Sequence, residues 1–287
     1  MIKVLKNEDL KKYCTFKIGG TAKYVFICYT ETDLTDAVYF AIKTKHKFKV
    51  IGFGANLLFS DEFYDGIIIV NHSNEIEFNN NFVSAESGVS VSNLIKTCAE
   101  KNLGGIENLS GIPSTVGGAV VNNLGAFNCE FGNFVESVEC YNFNDLKHKI
   151  ILKKDDCKFN YRDSIFKNNN LLITKVILNL KQGHKTLIQQ KIIEIIKQKT
   201  SSQPLNLPSA GSVFKRNGDI IPAKIIDELN LKGAKIGSAQ VSEKHAGFIV
   251  NLGGATSFQV KKLIDEIEKE VKNKLNITLE KEIEFVE

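Results

Sequence analysis

Residues 104–126, GGIENLSGIPSTVGGAVVNNLGA, constrain the chain most, because they hold six of its 21 glycines and only one charged residue, Glu107. Glycine lacks a Cβ and tolerates φ > 0, so such a segment lets the backbone itself approach a ligand. A glycine-rich surface loop is the alternative, and linkers of that composition are flexible. The aliphatic residues among the glycines favour instead a buried loop around a large cofactor; they are Ile112, Val116, Val120 and Val121.

Charge and cysteine usage narrow the function classes. The net charge of +4 is spread along the chain, and even the densest basic run, residues 43–49, contains no arginine. This distribution argues against nucleic acid as a partner, whereas a small anionic substrate remains compatible. The six cysteines form no C-x-x-C pair and share no metal-type spacing with the histidines, so we expect reduced core thiols and no metal.

The N-terminal sequence and the hydropathy pattern bear on localisation. MIKVLKNEDLKKY lacks the apolar core of a signal peptide, and no apolar run approaches membrane-spanning length. We therefore expect a cytoplasmic protein without membrane insertion.

Strand-like and helical stretches alternate along the chain and predict an α+β fold. We expect a cofactor domain over residues 1–184, with lobes of about 1–72 and 73–184, and a smaller α+β domain over residues 185–287. The predicted strands are Tyr24–Tyr29, Phe48–Ile51, Ile67–Val70, Phe82–Glu86, Phe134–Tyr141, Lys149–Leu152, Leu171–Leu180, Ala246–Val250 and Glu282–Val286. The predicted helices are Asp33–Lys43, one capped by Ser90, residues 185–200, one beginning at Pro222, and one opened by the capping-box pair Thr256 and Gln259.

A second glycine loop lies in residues 51–61, IGFGANLLFSD, directly after a predicted strand. Gly52 and Gly54 form half of a dinucleotide fingerprint, but Leu57 occupies the place of the third glycine and no Walker lysine follows. A lone G-x-G is often a plain turn. Together with residues 104–126, it indicates two backbone-rich loops that converge on one pyrophosphate.

Three further segments carry reactive side chains. Arg162 could clamp a carboxylate or stabilise negative charge, although local pairing with Asp163 is the simpler reading. Ser212, in the small-residue loop 208–215, could be a turn residue, a helix cap or a proton donor; it lacks the G-x-S-x-G context of a nucleophile. Glu282 and Glu284 are part of a run in which acidic residues alternate with others, a pattern that usually marks the solvated face of a strand. If one end of that strand lies beside the cofactor, either carboxyl could act as an acid.

Taken in order, these segments resemble the UDP-N-acetylenolpyruvoylglucosamine reductase (MurB) family. The resemblance runs nearly end to end, and motifs in a fixed order are more specific than any one of them. The matching segments are Thr15–Gly20 (T-F-x-x-G-G), Gly52–Leu58, Gly111–Ala126, Tyr161–Phe166 (Y-R-x-S-x-F), Gly211–Lys215 (G-S-x-F-K), His245–Asn251 and Leu279–Val286.

The resemblance implies a two-lobed FAD-binding domain of the vanillyl-alcohol-oxidase (PCMH) type and a C-terminal α+β substrate-binding domain. It also implies the compact class, without an inserted substrate-covering element, with non-covalent FAD and with NADPH as reductant. The implied FAD-binding residues are Gly52, Gly54, Ala55, Asn56, Leu57, Gly111, Ile112, Pro113, Ser114, Thr115, Gly117, Gly118, Ala119, Asn123, Gly125 and Ala126.

The activity that the resemblance implies is reduction of UDP-N-acetylglucosamine enolpyruvate to UDP-N-acetylmuramate in peptidoglycan precursor synthesis. Hydride from reduced flavin would reach C3 and Ser212 would protonate C2. Arg162 and a protonated Glu282 would stabilise the enolate. Tyr161, Lys199 and Lys215 are the implied substrate-binding residues.

Three positions depart from the family pattern, since Ser202 replaces a lysine, Glu284 an arginine and Lys281 a proline. Anion recognition would then fall to Lys199 or Lys215. The alternatives are a flavin oxidase of the same fold, although neither glycine loop offers His or Cys for a flavin tether, and a nucleotide-binding module without catalysis. We expect a monomer.

Overall fold

The computed structural model describes residues 1–167 and 169–287, which cluster into two compact units. Unit 1 comprises Met1–Leu5, Tyr24–Phe53 and Gly66–Gln198, and unit 2 comprises Lys6–Lys23, Gly54–Asp65 and Lys199–Glu287. The α-helices are α1 (Glu31–Lys43), α2 (Val91–Glu100), α3 (Val116–Val121), α4 (Lys185–Ser202), α5 (Pro222–Glu228) and α6 (Ser257–Leu275).

The strands form several small sheets. They are β1 (Lys3–Asp9), β2 (Thr21–Cys28), β3 (Lys47–Ile51), β4 (Leu57–Phe59), β5 (Tyr64–Asn71), β6 (Ile76–Asn79), β7 (Phe82–Glu86), β8 (Leu103–Gly104), β9 (Gly125–Ala126), β10 (Cys129–Glu130), β11 (Val135–Asn142), β12 (Asp145–Lys153), β13 (Leu171–Asn179), β14 (Lys181–Gln182), β15 (Ser209–Ser212), β16 (Lys235–Ile236), β17 (Ala239–Val241), β18 (Phe248–Asn251) and β19 (Glu284–Val286).

Unit 1 contains most of a four-stranded sheet, in the order β1-β2-β5-β3, and all of a five-stranded sheet, in the order β12-β11-β13-β7-β6. β3 and β5 are parallel, with Val50 opposite Ile69, and α1 follows β2 and leads into β3. The Thr30 hydroxyl caps α1 by accepting the Asp33 N–H at 3.1 Å. The apolar stripe of α1 then packs into a core with Phe26, Ile67 and Ile69.

Unit 2 contains a four-stranded sheet, in the order β15-β18-β17-β16, and the parallel pair β19-β4. Thr256 and Gln259 close a reciprocal capping box at the start of α6. The buried face of α6 repeats at helical spacing through Val260, Leu263, Ile264, Ile267 and Val271.

Most predicted elements are confirmed, with ends shifted by a few residues. Ser90 caps α2 by accepting the Asn93 N–H at 3.0 Å, and Pro222 occupies the first turn of α5. The last strand begins at Glu284 instead of Glu282, because the Glu282 N–H donates to the Val213 carbonyl at 2.7 Å. The glycine-rich stretch contains a helix, α3, that the sequence analysis did not predict.

Candidate active site

The two glycine loops meet within unit 1. Gly52 follows β3, and a Cβ added to Gly52 would lie 2.4 Å from Oγ1 of Thr115. That separation is far inside van der Waals contact, so no side chain larger than hydrogen fits at position 52. The two segments therefore pack against each other, as the sequence predicts. Binding of one pyrophosphate by both segments stays a prediction.

The second loop is anchored to the segment between β7 and α2. The N–H groups of Val116 and Gly117 each donate at 2.8 Å, to the carbonyls of Val89 and Ser87. The Thr115 hydroxyl accepts the Gly118 N–H at 3.2 Å and so caps α3. These bonds fix the backbone of the loop before any ligand binds.

This loop presents backbone to solvent at several positions. Gly111, Ile112, Ser114, Gly117 and Gly118 are partly exposed, whereas the anchoring side chains between and after them are buried. A rigid, partly exposed backbone without bulky or charged side chains allows close approach of phosphate and ring oxygens. The FAD-binding roles of the individual residues stay predictions.

Asn123 connects this loop to the segment that carries Arg162. Its side-chain Nδ2 donates at 2.9 Å to both the Glu130 carboxylate and the Asn160 carbonyl, and its Oδ1 accepts the Gly132 N–H. Asn123 is buried, and these protein contacts account for its conformation. Its side chain thus holds neighbouring backbone in place.

Arg162 lies against the end of the glycine-rich stretch. Its Nη2 donates to the Gly125 carbonyl at 2.8 Å, and its guanidinium lies 5.3 Å from the ring centroid of Tyr161. The backbone of Arg162 adopts the left-handed conformation, at φ 53°, in a tight turn. Neighbouring Asp163 pairs through its backbone with Asn160. Arg162 is thereby oriented toward the second glycine loop within unit 1.

In unit 2, Asn56 ties the first glycine loop to the C-terminal segment. Its Nδ2 donates to the Glu282 carbonyl at 2.9 Å, and its own carbonyl accepts the Glu284 N–H at 2.9 Å. Gly54 makes the preceding turn at φ 59°, where a Cβ would lie 2.4 Å from the Tyr13 carbonyl oxygen. These two contacts of Asn56 set the start of the β4–β19 pair.

Ser212 and Glu282 lie on adjoining segments of unit 2. Ser212 ends β15, and the next carbonyl, that of Val213, accepts the Glu282 N–H at 2.7 Å. Both side chains are half-buried. The structure therefore places the backbone segments that carry these two residues side by side within unit 2. Their roles as proton donor and charge stabiliser stay predictions.

The three predicted substrate-binding residues differ in environment. Lys199 is 2% exposed, and burial lowers its pKa to about 8. Lys215 forms an ion pair with Glu280. Tyr161 is exposed and stacks on Arg162. Lys199 thus carries its charge in a buried environment, whereas Lys215 is half-buried in an ion pair.

Two polar residues that the sequence analysis did not single out support the strand that carries Ser212. The Thr15 hydroxyl donates to the Ser209 carbonyl at 2.7 Å, and Asn251 Nδ2 donates to the Phe16 carbonyl at 3.1 Å. Their motifs, T-F-x-x-G-G and HAGFIVN, were visible in the sequence. Only the fold reveals that they hold backbone within unit 2.

Across residues 1–167 and 169–287, no group of three or more His, Cys, Asp or Glu side chains is arranged to hold a metal ion. The six cysteines are free and buried. In the same part of the chain, none of the helices has the length and hydropathy needed to span a bilayer.

Comparison with known proteins identifies the family. Residues 203–286 match the profile of the UDP-N-acetylenolpyruvoylglucosamine reductase C-terminal domain. A UDP-N-acetylenolpyruvoylglucosamine reductase of Thermotoga maritima is 42% identical over 280 residues, which cover 97% of each chain. The chain belongs to the MurB family. A relative of the same name from Caldanaerobacter subterraneus is 36% identical and covers 99% of this chain and 94% of its own.

The remaining comparisons concern the fold and the cofactor. Residues 22–145 match the profile of an FAD-binding domain. The crystal structure of a MurB from Thermus caldophilus superposes with a TM-score of 0.84 at 30% identity, covering 100% of this chain and 99% of that one. These findings confirm the predicted family, the α+β fold with a PCMH-type FAD-binding domain and a MurB C-terminal domain, and the class of FAD-dependent oxidoreductase. MurB membership together with the FAD-binding domain implies FAD as cofactor and NADPH as reductant.

Proposed function

We propose that this chain reduces UDP-N-acetylglucosamine enolpyruvate to UDP-N-acetylmuramate, with electrons from NADPH. Membership of the MurB family supports the reaction class. The observation that carries the assignment of residues is the 2.7 Å hydrogen bond from the Glu282 N–H to the Val213 carbonyl. It holds Ser212 and Glu282 on adjoining segments.

The reaction adds a hydride to C3 and a proton to C2 of the enol ether, and bound FAD supplies the hydride. Addition at C3 moves negative charge onto the substrate carboxylate, as an enolate. A protonated Glu282 would donate a hydrogen bond to that charge, and the family pattern assigns Arg162 the same task. Ser212 would give its hydroxyl proton to C2. A serine hydroxyl is an adequate acid only beside a strongly basic centre and with water excluded, so its half-buried position supports this role.

FAD would be held by backbone of both glycine loops. Within unit 1 the proposed residues are Gly52, Gly111–Thr115, Gly117, Gly118, Ala119, Asn123, Gly125 and Ala126; within unit 2 they are Gly54, Ala55, Asn56 and Leu57. The absence of His and Cys from both loops supports non-covalent binding. Tyr161, Lys199 and Lys215 are proposed to contact the UDP-sugar. We also propose the division into residues 1–184 and 185–287, a monomeric state and a cytoplasmic location.

Ser212→Ala tests the proposed proton transfer. Removal of the hydroxyl should leave FAD content and flavin reduction by NADPH at wild-type levels, because neither needs the C2 proton. Formation of UDP-N-acetylmuramate should fall by about 10²–10⁴-fold, the usual contribution of a general acid. Single-turnover mixing of the reduced variant with the enolpyruvyl substrate, followed by flavin absorbance and product analysis, measures both.

Ser209→Ala is the matched control, since Ser209 lies on the same strand and only its carbonyl takes part in the contact with Thr15. Its turnover should equal that of the wild type. Full turnover by Ser212→Ala would refute the proton-donor assignment. Loss of flavin reduction in that variant would assign Ser212 to the cofactor instead.

A further inference from the structure

A tight turn that contains a histidine lies directly beside the strand of Ser212. In this His245 turn (residues 242–248), the Ser242 N–H donates to the Phe248 carbonyl at 2.9 Å and the Phe248 N–H donates to the His245 carbonyl at 3.0 Å. The third bond uses a side chain, because the Gly247 N–H donates to Nδ1 of the His245 ring at 3.2 Å. The imidazole is thus built into the backbone of the turn.

A chain of hydrogen bonds connects this ring to Glu282 and passes through Val213, the residue next to Ser212. The Gly247 carbonyl accepts the Val213 N–H at 2.9 Å, and the Val213 carbonyl accepts the Glu282 N–H at 2.7 Å. Val213 follows Ser212 directly. The position of Gly247 therefore fixes the position of Val213. Val213 is bonded covalently to Ser212 and is hydrogen-bonded to Glu282.

Packing leaves the turn little freedom to adjust. A Cβ on Gly247 would lie 3.1 Å from Cβ of Ala223 in α5 and 3.1 Å from Cε1 of His245. The His245 ring packs edge-on against Phe248, with centroids 5.0 Å apart, and Phe248 is the register partner of Ser212. A change in the ring's contact with Gly247 would be transmitted to Ser212, because closely packed groups move together.

The contact requires a neutral imidazole. An unprotonated Nδ1 accepts a hydrogen bond, which places the ring proton on Nε2, whereas the imidazolium has donors only. Burial lowers the pKa of His245, and a hydrogen bond with its own backbone opposes that change. The charged groups that face it are Lys232, which lowers the pKa further, and Asp227, which raises it. Those two residues pair with each other at 2.7 Å. The turn itself carries Glu243 and Lys244, and the Lys244 ammonium donates to the Thr200 carbonyl.

We propose that neutral His245 is a positioning residue for the reaction, and that it acts by accepting the Gly247 N–H and so fixing the peptide between Ser212 and Glu282. This inference rests on the proposed function for its catalytic consequence. The contact itself is a property of unit 2 alone. Protonation of His245 removes the acceptor, so the rate should fall as pH decreases through the pKa of this group.

Two substitutions separate the acceptor from the imidazole. His245→Asn keeps an acceptor, because an asparagine Oδ1 commonly accepts the N–H two residues later. His245→Ala removes it. We expect His245→Ala to lower kcat about tenfold, the equivalent of one lost hydrogen bond, with unchanged FAD content and flavin reduction by NADPH. His245→Asn should retain most of kcat at pH 7 and hold its rate to lower pH than the wild type.

His46→Ala is the matched control. Nδ1 of His46 lies 2.8 Å from the Thr44 hydroxyl, and its ring packs edge-on against Tyr24 in unit 1. The His46 variant should keep the wild-type kcat and pH profile. Equal kcat values for His245→Ala and the wild type, or equal losses in the Ala and Asn variants, would overturn the positioning role.

Amide hydrogen exchange provides a readout that does not depend on turnover. In FAD-loaded protein, His245→Ala should speed exchange at Val213 and Glu282 at least several-fold, whereas His245→Asn and His46→Ala should not. Unchanged exchange in His245→Ala refutes this inference whatever the activity. Faster exchange in a protein whose wild type does not turn over the enolpyruvyl substrate would support the positioning and refute the proposed function instead.

Discussion

Lys199→Met should stabilise the protein, because Lys199 carries a charge that the fold buries. Lys199 is 2% exposed near the C-terminal end of α4, and desolvation lowers its pKa from 10.5 to about 8. A pKa difference of that size corresponds to about 3 kcal/mol of unfavourable free energy for the charged form. The helix dipole at α4's C-terminal end favours a cation by about 0.3–1 kcal/mol, which replacement would forfeit.

The net expectation is that Lys199→Met raises the free energy of unfolding at pH 7 by at most about 2–3 kcal/mol, because the substitution also removes the contacts that the Lys199 side chain makes. The sign with pH follows from proton binding. Between pH 8 and pH 10.5 the unfolded state holds the Lys199 proton more firmly than the folded state, so the stability of the wild type rises with pH. The advantage of the variant should therefore be complete below pH 8 and largely gone above pH 10.5.

Denaturant unfolding of the two proteins at several values between pH 7 and pH 10.5 tests this expectation. Lys197→Met is the control, since Lys197 lies on the same helix and is exposed, and its stability difference should stay within about 0.5 kcal/mol at every pH. Lower stability of Lys199→Met at pH 7, or a difference that does not change with pH, would refute the reasoning. If Lys199 also binds the anionic substrate, the stabilised variant should show a raised KM.

Two other expectations concern packing and thiol chemistry. Gly52→Ala should lower FAD content and cost about 1–3 kcal/mol of stability, because its Cβ would lie 2.4 Å from Oγ1 of Thr115; wild-type flavin absorbance and an unchanged unfolding curve would contradict this. The buried cysteines should react with a disulfide reagent at neutral pH only as fast as the protein unfolds, since burial raises the pKa of Cys28, Cys98 and Cys157 to about 12 and raises that of the other three as well. Rapid labelling of any thiol in the folded protein, followed by mass spectrometry, would show this account of the core to be wrong.

Local signals were sufficient for many elements of the fold. The capping box at Thr256, the Ser90 cap and the position of Pro222 each predict a helix start from a few neighbouring residues. The strand over residues 82–86 was predicted with the ends that β7 has. Such signals work because capping and alternation depend on short stretches of sequence.

Elements stabilised by distant contacts were not predictable in the same way. Helix α3 contains Gly117 and Gly118, which disfavour helix, and it forms where its first turn is held to Val89 and Ser87. Strand β1 was missed, since its sequence, KVLKNED, is polar and largely exposed. Intrinsic propensity points the wrong way at both places.

The candidate site shows the same limit. The resemblance to MurB selected Ser212 and Glu282, but the contact between Asn56 and Glu282 joins residues 226 positions apart. The hydrogen bond from Gly247 to the His245 ring is local, yet its importance depends on Val213, which lies more than 30 residues earlier in the chain. Only the folded protein shows that consecutive hydrogen bonds join these groups.

An anaerobic absorbance titration tests the proposed function most directly. NADPH is added to FAD-loaded protein until the flavin absorbance bleaches, and UDP-N-acetylglucosamine enolpyruvate is then supplied. We predict bleaching by NADPH followed by stoichiometric return of the oxidised flavin spectrum and formation of UDP-N-acetylmuramate. Bleaching without return would contradict the proposed substrate, and a protein that takes up no FAD would contradict the assignment of both glycine loops.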